Sequence, residues 1–157
     1  MDSRIKGRGF TIPHLLNIPD TSEKASAFDG ASLAVFRLAP ADYHRFHSPI
    51  DGTVGDVEHI PGQYYTGQLS FSLSSMINSS PRKIKLLIPF YPVNPQAVNE
   101  PGFDVFTANT RSVLYLTHKG TGLPVAFVAI GALLVGSIKW TGGAEKGNAI
   151  KRGEELG

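Results

Sequence analysis

The sequence predicts a mainly β fold with a few short helices (α+β), arranged as one compact, barrel-like or sandwich-like sheet domain. Three observations carry this. Glycine and proline are plentiful, 17 and 11 residues, and they fall between short β-branched or aromatic runs. No long stretch keeps the 3.6-residue apolar period of an amphipathic helix. A length of 157 residues, 41% apolar and 18% charged, suits one ordinary globular core.

Strands are expected at Ser32–Leu38, Thr53–Ile60, Ser112–Thr117 and Val125–Ile138, the last as two strands or as one bent at Gly131. The clearest helical turn opens at Pro40, whose fixed φ suits a first turn, and Pro49 with Gly52 closes it. On such a turn His44 and His47, three apart, share a face. The polar, glycine-rich run 141–157 predicts small turns at a hairpin corner near a sheet edge. Gly67–Pro92 stands apart, with six serines, the basic residues Arg82, Lys83 and Lys85, no acid and no period of its own. Residues 1–157 are therefore read as a single domain with an atypical insertion at 67–92, either a surface loop or a translated, retained intron. Its apolar end, Ile84–Tyr91, is β-prone and carries an aggregation risk if exposed.

Composition excludes several function classes. The formal net charge of +2 is too small for a nucleic-acid reader, so no nucleic-acid partner is expected. With no cysteine, disulfide scaffolds, thiolate metal sites and cysteine nucleophiles are excluded. Residues 1–7 lack the apolar core of a secretory signal. The apolar stretch within 124–140 is broken by Gly131, Gly136 and Lys139, and it reads as buried strands in preference to a membrane span.

The chemically informative string is Phe36-Arg37-Leu38-Ala39-Pro40-Ala41-Asp42-Tyr43-His44-Arg45-Phe46-His47-Ser48-Pro49-Ile50-Asp51-Gly52. Around it lie Ile5-Lys6-Gly7, Phe10-Thr11-Ile12-Pro13, Tyr64-Tyr65-Thr66 and Val93-Asn94-Pro95-Gln96-Ala97-Val98. Further on come Phe103-Asp104-Val105-Phe106, Asn109-Thr110-Arg111, Ile130-Gly131-Ala132, Val135-Gly136-Ser137-Ile138 and Gly153-Glu154-Glu155-Leu156-Gly157. In this order the runs resemble the phosphatidylserine decarboxylase family, and 67–92 is the stretch that departs from it. Deleting 67–92 would join Thr66 to Val93 in frame, as the family pattern expects.

The resemblance implies a carboxy-lyase of phospholipid biosynthesis that converts phosphatidylserine to phosphatidylethanolamine with release of CO2. It implies a proenzyme that makes its own covalent pyruvoyl cofactor from an internal serine, and this pyruvoyl binds the substrate amine and serves as the electron sink. By motif position, His47 is the relay histidine for serine activation. His44 matches the family histidine at the decarboxylation site, as proton donor or carboxylate contact. The implied partners are phosphatidylserine, a membrane surface and a complementary small subunit. The forms of the motifs look most like the eukaryotic endomembrane type (Golgi, endosome or vacuole), with the mitochondrial inner membrane as the alternative.

Two family features fall outside the sequence: the relay aspartate motif would precede Met1, and the pyruvoyl-forming serine would follow Gly157. The chain therefore reads as an interior piece of the family domain, truncated at both ends and expected to be inactive alone. The alternative is a noncatalytic lipid- or protein-binding remnant of the same scaffold. A carrier-like β domain is a third reading, without a lysine in a recognisable modification turn. The His44/His47 pair could hold a metal, but it lacks a third ligand; equally, both could be structural. His14, His59 and His118 are expected at the surface, and neither Asp42 nor Asp51 is assigned the relay role.

Overall fold

The computed structural model describes residues 2–5, 8–38, 42–65, 103–132 and 135–157, so the expected insertion at 67–92 lies outside the described residues. A hairpin opens the chain, with β1 (Asp2–Ile5) antiparallel to β2 (Arg8–Thr11). Two short helices follow, α1 (Ile12–Leu16) and α2 (Glu23–Ser26). Thr11 caps α1 by accepting from the His14 amide at 3.2 Å, and Ser22 caps α2 by accepting from Ala25 at 3.1 Å. Asn17 then ends α1 in the left-handed region, φ 55°.

The main sheet has four strands: β3 (Gly52–Ile60), β4 (Arg111–His118), β5 (Pro124–Ile130) and β6 (Ala149–Ile150). Their order is β5-β4-β3-β6, all pairs are antiparallel, and the sheet curls into a half-barrel. The mainly β expectation is met. Between β3 and β4 lies α3 (Val105–Ala108), capped by Asp104, which accepts from Phe106 N at 3.0 Å.

Strand β4 sits at the centre, and apolar groups cover both of its faces. Leu114 and Leu116 turn towards Val54, Ala144, Ile150 and Leu156; Val113 turns the other way, onto Leu16, Phe28 and Ile60. This follows from the period-two alternation of a strand, which needs an apolar residue at nearly every position when both faces are buried. Each fully buried leucine or valine side chain contributes about 1.5–3 kcal/mol.

In β3 the register slips between Val54 and Val57, which pair with Leu116 and Leu114. The extra residue forms a bulge, and it lets both valines reach the same apolar cluster although they are three apart. Glycine is needed here, because a Cβ on Gly55 would lie 2.9 Å from the Tyr115 carbonyl oxygen.

Three expectations need correction or trimming. Ser32–Leu38 forms no strand; it is exposed along its length and makes no strand pairing among the described residues, so its β-prone pattern lacks a ladder. The helical turn expected to carry His44 and His47 is absent over 42–47, because backbone groups from Phe46 onward bond across to 153–157 instead of to their own turn. Of Val125–Ile138, the described residues are strand up to Ile130; beyond Gly131 they make the bridge Ala132 to Val135.

The 141–157 run behaves as the sequence indicates, with a single 3-10 turn at Gly142–Ala144, the short edge strand β6 and tight turns at Gly147 and Gly153.

Candidate functional site

The site is built where the histidine segment meets the glycine-rich corner. Phe46 N donates to Gly157 O at 2.9 Å and Leu156 N donates to Phe46 O at 2.9 Å. Ser48 N donates to Glu154 O, and Gly153 N donates back to Ser48 O, each at 2.8 Å. His47 and Glu155 form the antiparallel bridge between these pairs.

Packing fixes this pairing. Phe46 inserts between Phe127 and Trp140, with ring centroids at 5.3 and 5.0 Å, and the Trp140 indole donates to Ser112 Oγ at 2.7 Å. A Cβ on Gly157 would stand 2.6 Å from the Phe46 ring and 2.4 Å from the Lys139 carbonyl oxygen. The corner therefore approaches the segment more closely than any residue but glycine allows. Outside, Arg45 bonds Glu155 at 2.5 Å, and Asp51 accepts from Arg152 N at 2.8 Å.

His47 is half-buried over this corner. Its Nδ1 lies 2.9 Å from the Gly153 carbonyl oxygen. A carbonyl only accepts, so Nδ1 carries a proton, and in the neutral imidazole Nε2 carries the lone pair. At Nε2 stands the Tyr43 hydroxyl, 3.1 Å away, with the two rings stacked at 5.7 Å between centroids and 16° between planes. His44 is bonded separately, its Nδ1 donating to the Asp42 carbonyl at 2.6 Å. The two imidazoles thus engage different carbonyls instead of sharing one helical face.

A backbone carbonyl orients His47, and Asp51 pins the corner through Arg152. His14 and His59 are exposed, and His118 is half-buried, bonded to Thr121 in its own turn at 2.9 Å. Among the described residues, no three His, Cys, Asp or Glu side chains come together as a metal site.

Asn109 and Arg111 hold the sheet behind the site. Asn109, buried, accepts from Tyr65 N at 3.0 Å and donates to the carbonyls of Tyr65 and Gly131 at 2.8 and 3.0 Å. Arg111, also buried, donates to the carbonyls of Leu15, Thr107 and His14 at 2.7, 2.6 and 3.1 Å. Burial pushes its guanidinium below the ordinary value, with the Asp104 charge opposing.

A family model described as phosphatidylserine decarboxylase matches residues 2–157. The chain belongs to the phosphatidylserine decarboxylase family. Similar proteins include phosphatidylserine decarboxylase proenzyme 2 of Komagataella phaffii, 38% identical over 153 residues that make up 98% of this chain and 12% of that protein. Proenzyme 2 of Oryza sativa subsp. japonica is 40% identical over 153 residues, 98% of this chain and 19% of the relative. A phosphatidylserine decarboxylase proenzyme of Fusobacterium nucleatum is 30% identical over 153 residues, 98% of this chain and 40% of the relative. The chain therefore spans less than half the length of these decarboxylases.

Of the two histidines that the sequence motif singled out, His47 lies at this corner and His44 bonds within its own segment, while Tyr43 and the Gly153 carbonyl were not among the expected site groups. Tyr43 had a signal, a hydroxyl four residues before His47. The carbonyl had none, since every residue carries one.

Proposed function

We propose that this chain is the histidine-bearing part of a phosphatidylserine decarboxylase, acting on phosphatidylserine at a membrane surface in phospholipid synthesis. The observation that carries the reading is the Nδ1 contact of His47: with that nitrogen held by the Gly153 carbonyl, the neutral imidazole presents Nε2, the form a general base needs at a serine hydroxyl. In this reading His47 takes the serine proton during self-cleavage. His44, whose Nε2 is left available, is the group beside the substrate carboxylate.

The pyruvoyl group fits this site in part. The base is present, but among the described residues no serine hydroxyl faces Nε2; Ser48, the nearest in sequence, donates its hydroxyl to the Ile50 carbonyl at 2.7 Å. When present, a pyruvoyl supplies an electron sink for decarboxylation. In this reading the serine that His47 activates lies outside the described residues. A noncatalytic lipid- or protein-binding remnant is the second reading, favoured by the exposed run at 31–38. Among the described residues no helix is long and apolar enough to cross a membrane. An endomembrane address is proposed from the motif forms, with the mitochondrial inner membrane as the alternative.

The test is to sequence the transcript through both ends and across 66–93, then express the longest product with phosphatidylserine vesicles. Self-cleavage with phosphatidylethanolamine formed, both lost in His47→Ala, is the expected result. A folded, uncleaved product that binds vesicles would favour the remnant instead.

A further inference from the structure

The contact between Tyr43 and His47 adds a residue to the site. Its meaning rests on the decarboxylase reading above. With Nδ1 donating to the Gly153 carbonyl, the neutral imidazole offers only an acceptor at Nε2, and in that form the Tyr43 hydroxyl is the donor of their 3.1 Å bond. A base in self-cleavage meets a serine hydroxyl in the same way, through an O–H pointing at the same lone pair. The tyrosine is otherwise exposed, at 64%, and belongs to no core cluster among the described residues. What keeps it there is the stacked ring and the hydroxyl, both directed at His47.

We infer that Tyr43 is a positioning residue for His47, holding the imidazole in its Nδ1–H form and in the plane that a serine hydroxyl must approach. The tyrosine occupies the acceptor nitrogen until that hydroxyl arrives, and it swings towards solvent at the cost of one exposed hydrogen bond. The Gly153 carbonyl fixes one nitrogen; Tyr43 fixes the other nitrogen and the ring face. Phenylalanine at this position retains the stack without the hydrogen bond, and alanine retains neither.

The experiment has two arms. In the 157-residue chain with nitrogen-15 histidine, the wild type should show His47 protonated at Nδ1 and accepting at Nε2. Tyr43→Phe should move the Nε2 resonance to that of an unbonded acceptor, and Tyr43→Ala should populate both tautomers. In the longest product, Tyr43→Ala should slow self-cleavage by about tenfold, with Tyr43→Phe between alanine and wild type. An Nε2 resonance unmoved by Tyr43→Phe overturns the inference. So do both variants cleaving at the wild-type rate, which leaves the decarboxylase reading standing. A wild type that never cleaves removes that reading and with it the role, while the nitrogen resonances still report on the contact.

Discussion

The imidazole of His47 is anchored not by a carboxylate but by the carbonyl of Gly153, a residue in a left-handed turn at φ 88°. That conformation aims the carbonyl at Nδ1, and it is one that residues with a Cβ rarely adopt. Gly153→Ala should cost about 1–2 kcal/mol of stability and loosen the Nδ1 bond. Thermal unfolding measures the first effect and the nitrogen-15 tautomer ratio of His47 the second. Unchanged values of both would show that the turn is not what sets the histidine.

The aromatic joint predicts a larger effect. Phe46 fills the space between Phe127, Trp140 and Gly157, so Phe46→Ala should destabilise the chain by about 3–5 kcal/mol. In urea titration the midpoint should fall. Amide exchange should show the 46–48 and 153–157 bonds opening well before β4.

Asn109, buried at the end of α3, satisfies three backbone groups. Asn109→Ala leaves the Tyr65 amide and two carbonyls without their partner, an expected loss of about 2–4 kcal/mol. Asn109→Asp retains the acceptor and removes both donors, and its melting temperature should fall between those of wild type and alanine.

On the other side of the sheet the Tyr115 hydroxyl is buried with no hydrogen-bond partner among the described residues, and burial pushes its phenol above the ordinary value. Lys24 lies 3.7 Å from the centre of its ring. Tyr115→Phe keeps the cation over the ring and removes the unpaired oxygen. Stability should stay level or rise by up to about 1 kcal/mol, and a clear drop in melting temperature would contradict this account.

Asp56, in the β3 bulge, accepts from Lys146 at 2.6 Å; that hydrogen bond, and then the lysine charge, hold its carboxyl below the ordinary value. For a depressed acid, the stabilisation is present above the unfolded value and disappears as pH falls through the folded one. Asp56→Asn should therefore melt below wild type at neutral pH, and the gap should close on acidification. A gap that persists in acid would assign the effect to the bulge backbone.

These relationships were unevenly legible in the sequence. β3 and β4 could be read from their apolar runs, since Val113, Leu114 and Leu116 leave a central strand no polar face. The corner could be read from its glycines, because Gly147 and Gly153 take the positive φ that glycine favours. The failures share a cause. Ser32–Leu38 has strand composition, but a strand is a relation between two segments, and Phe36 stands 87% exposed. The turn after Pro40 has local helix signals that lose to the non-local bonds of Phe46 and Ser48. The orienting group of His47 was invisible for a simpler reason: motifs record side chains, and the partner is main chain.

One distance along the chain sets a timetable. His47 and its orienting carbonyl are 106 residues apart. At about 5–20 residues per second, the ribosome delivers the second some 5–20 seconds after the first. Throughout that interval the imidazole is free to exchange its proton between nitrogens, and the aromatic joint that would hold it has no corner to close on. The nascent chain thus carries His47 with its Nδ1 unanchored, and that imidazole is set only when nearly everything described here has already been made.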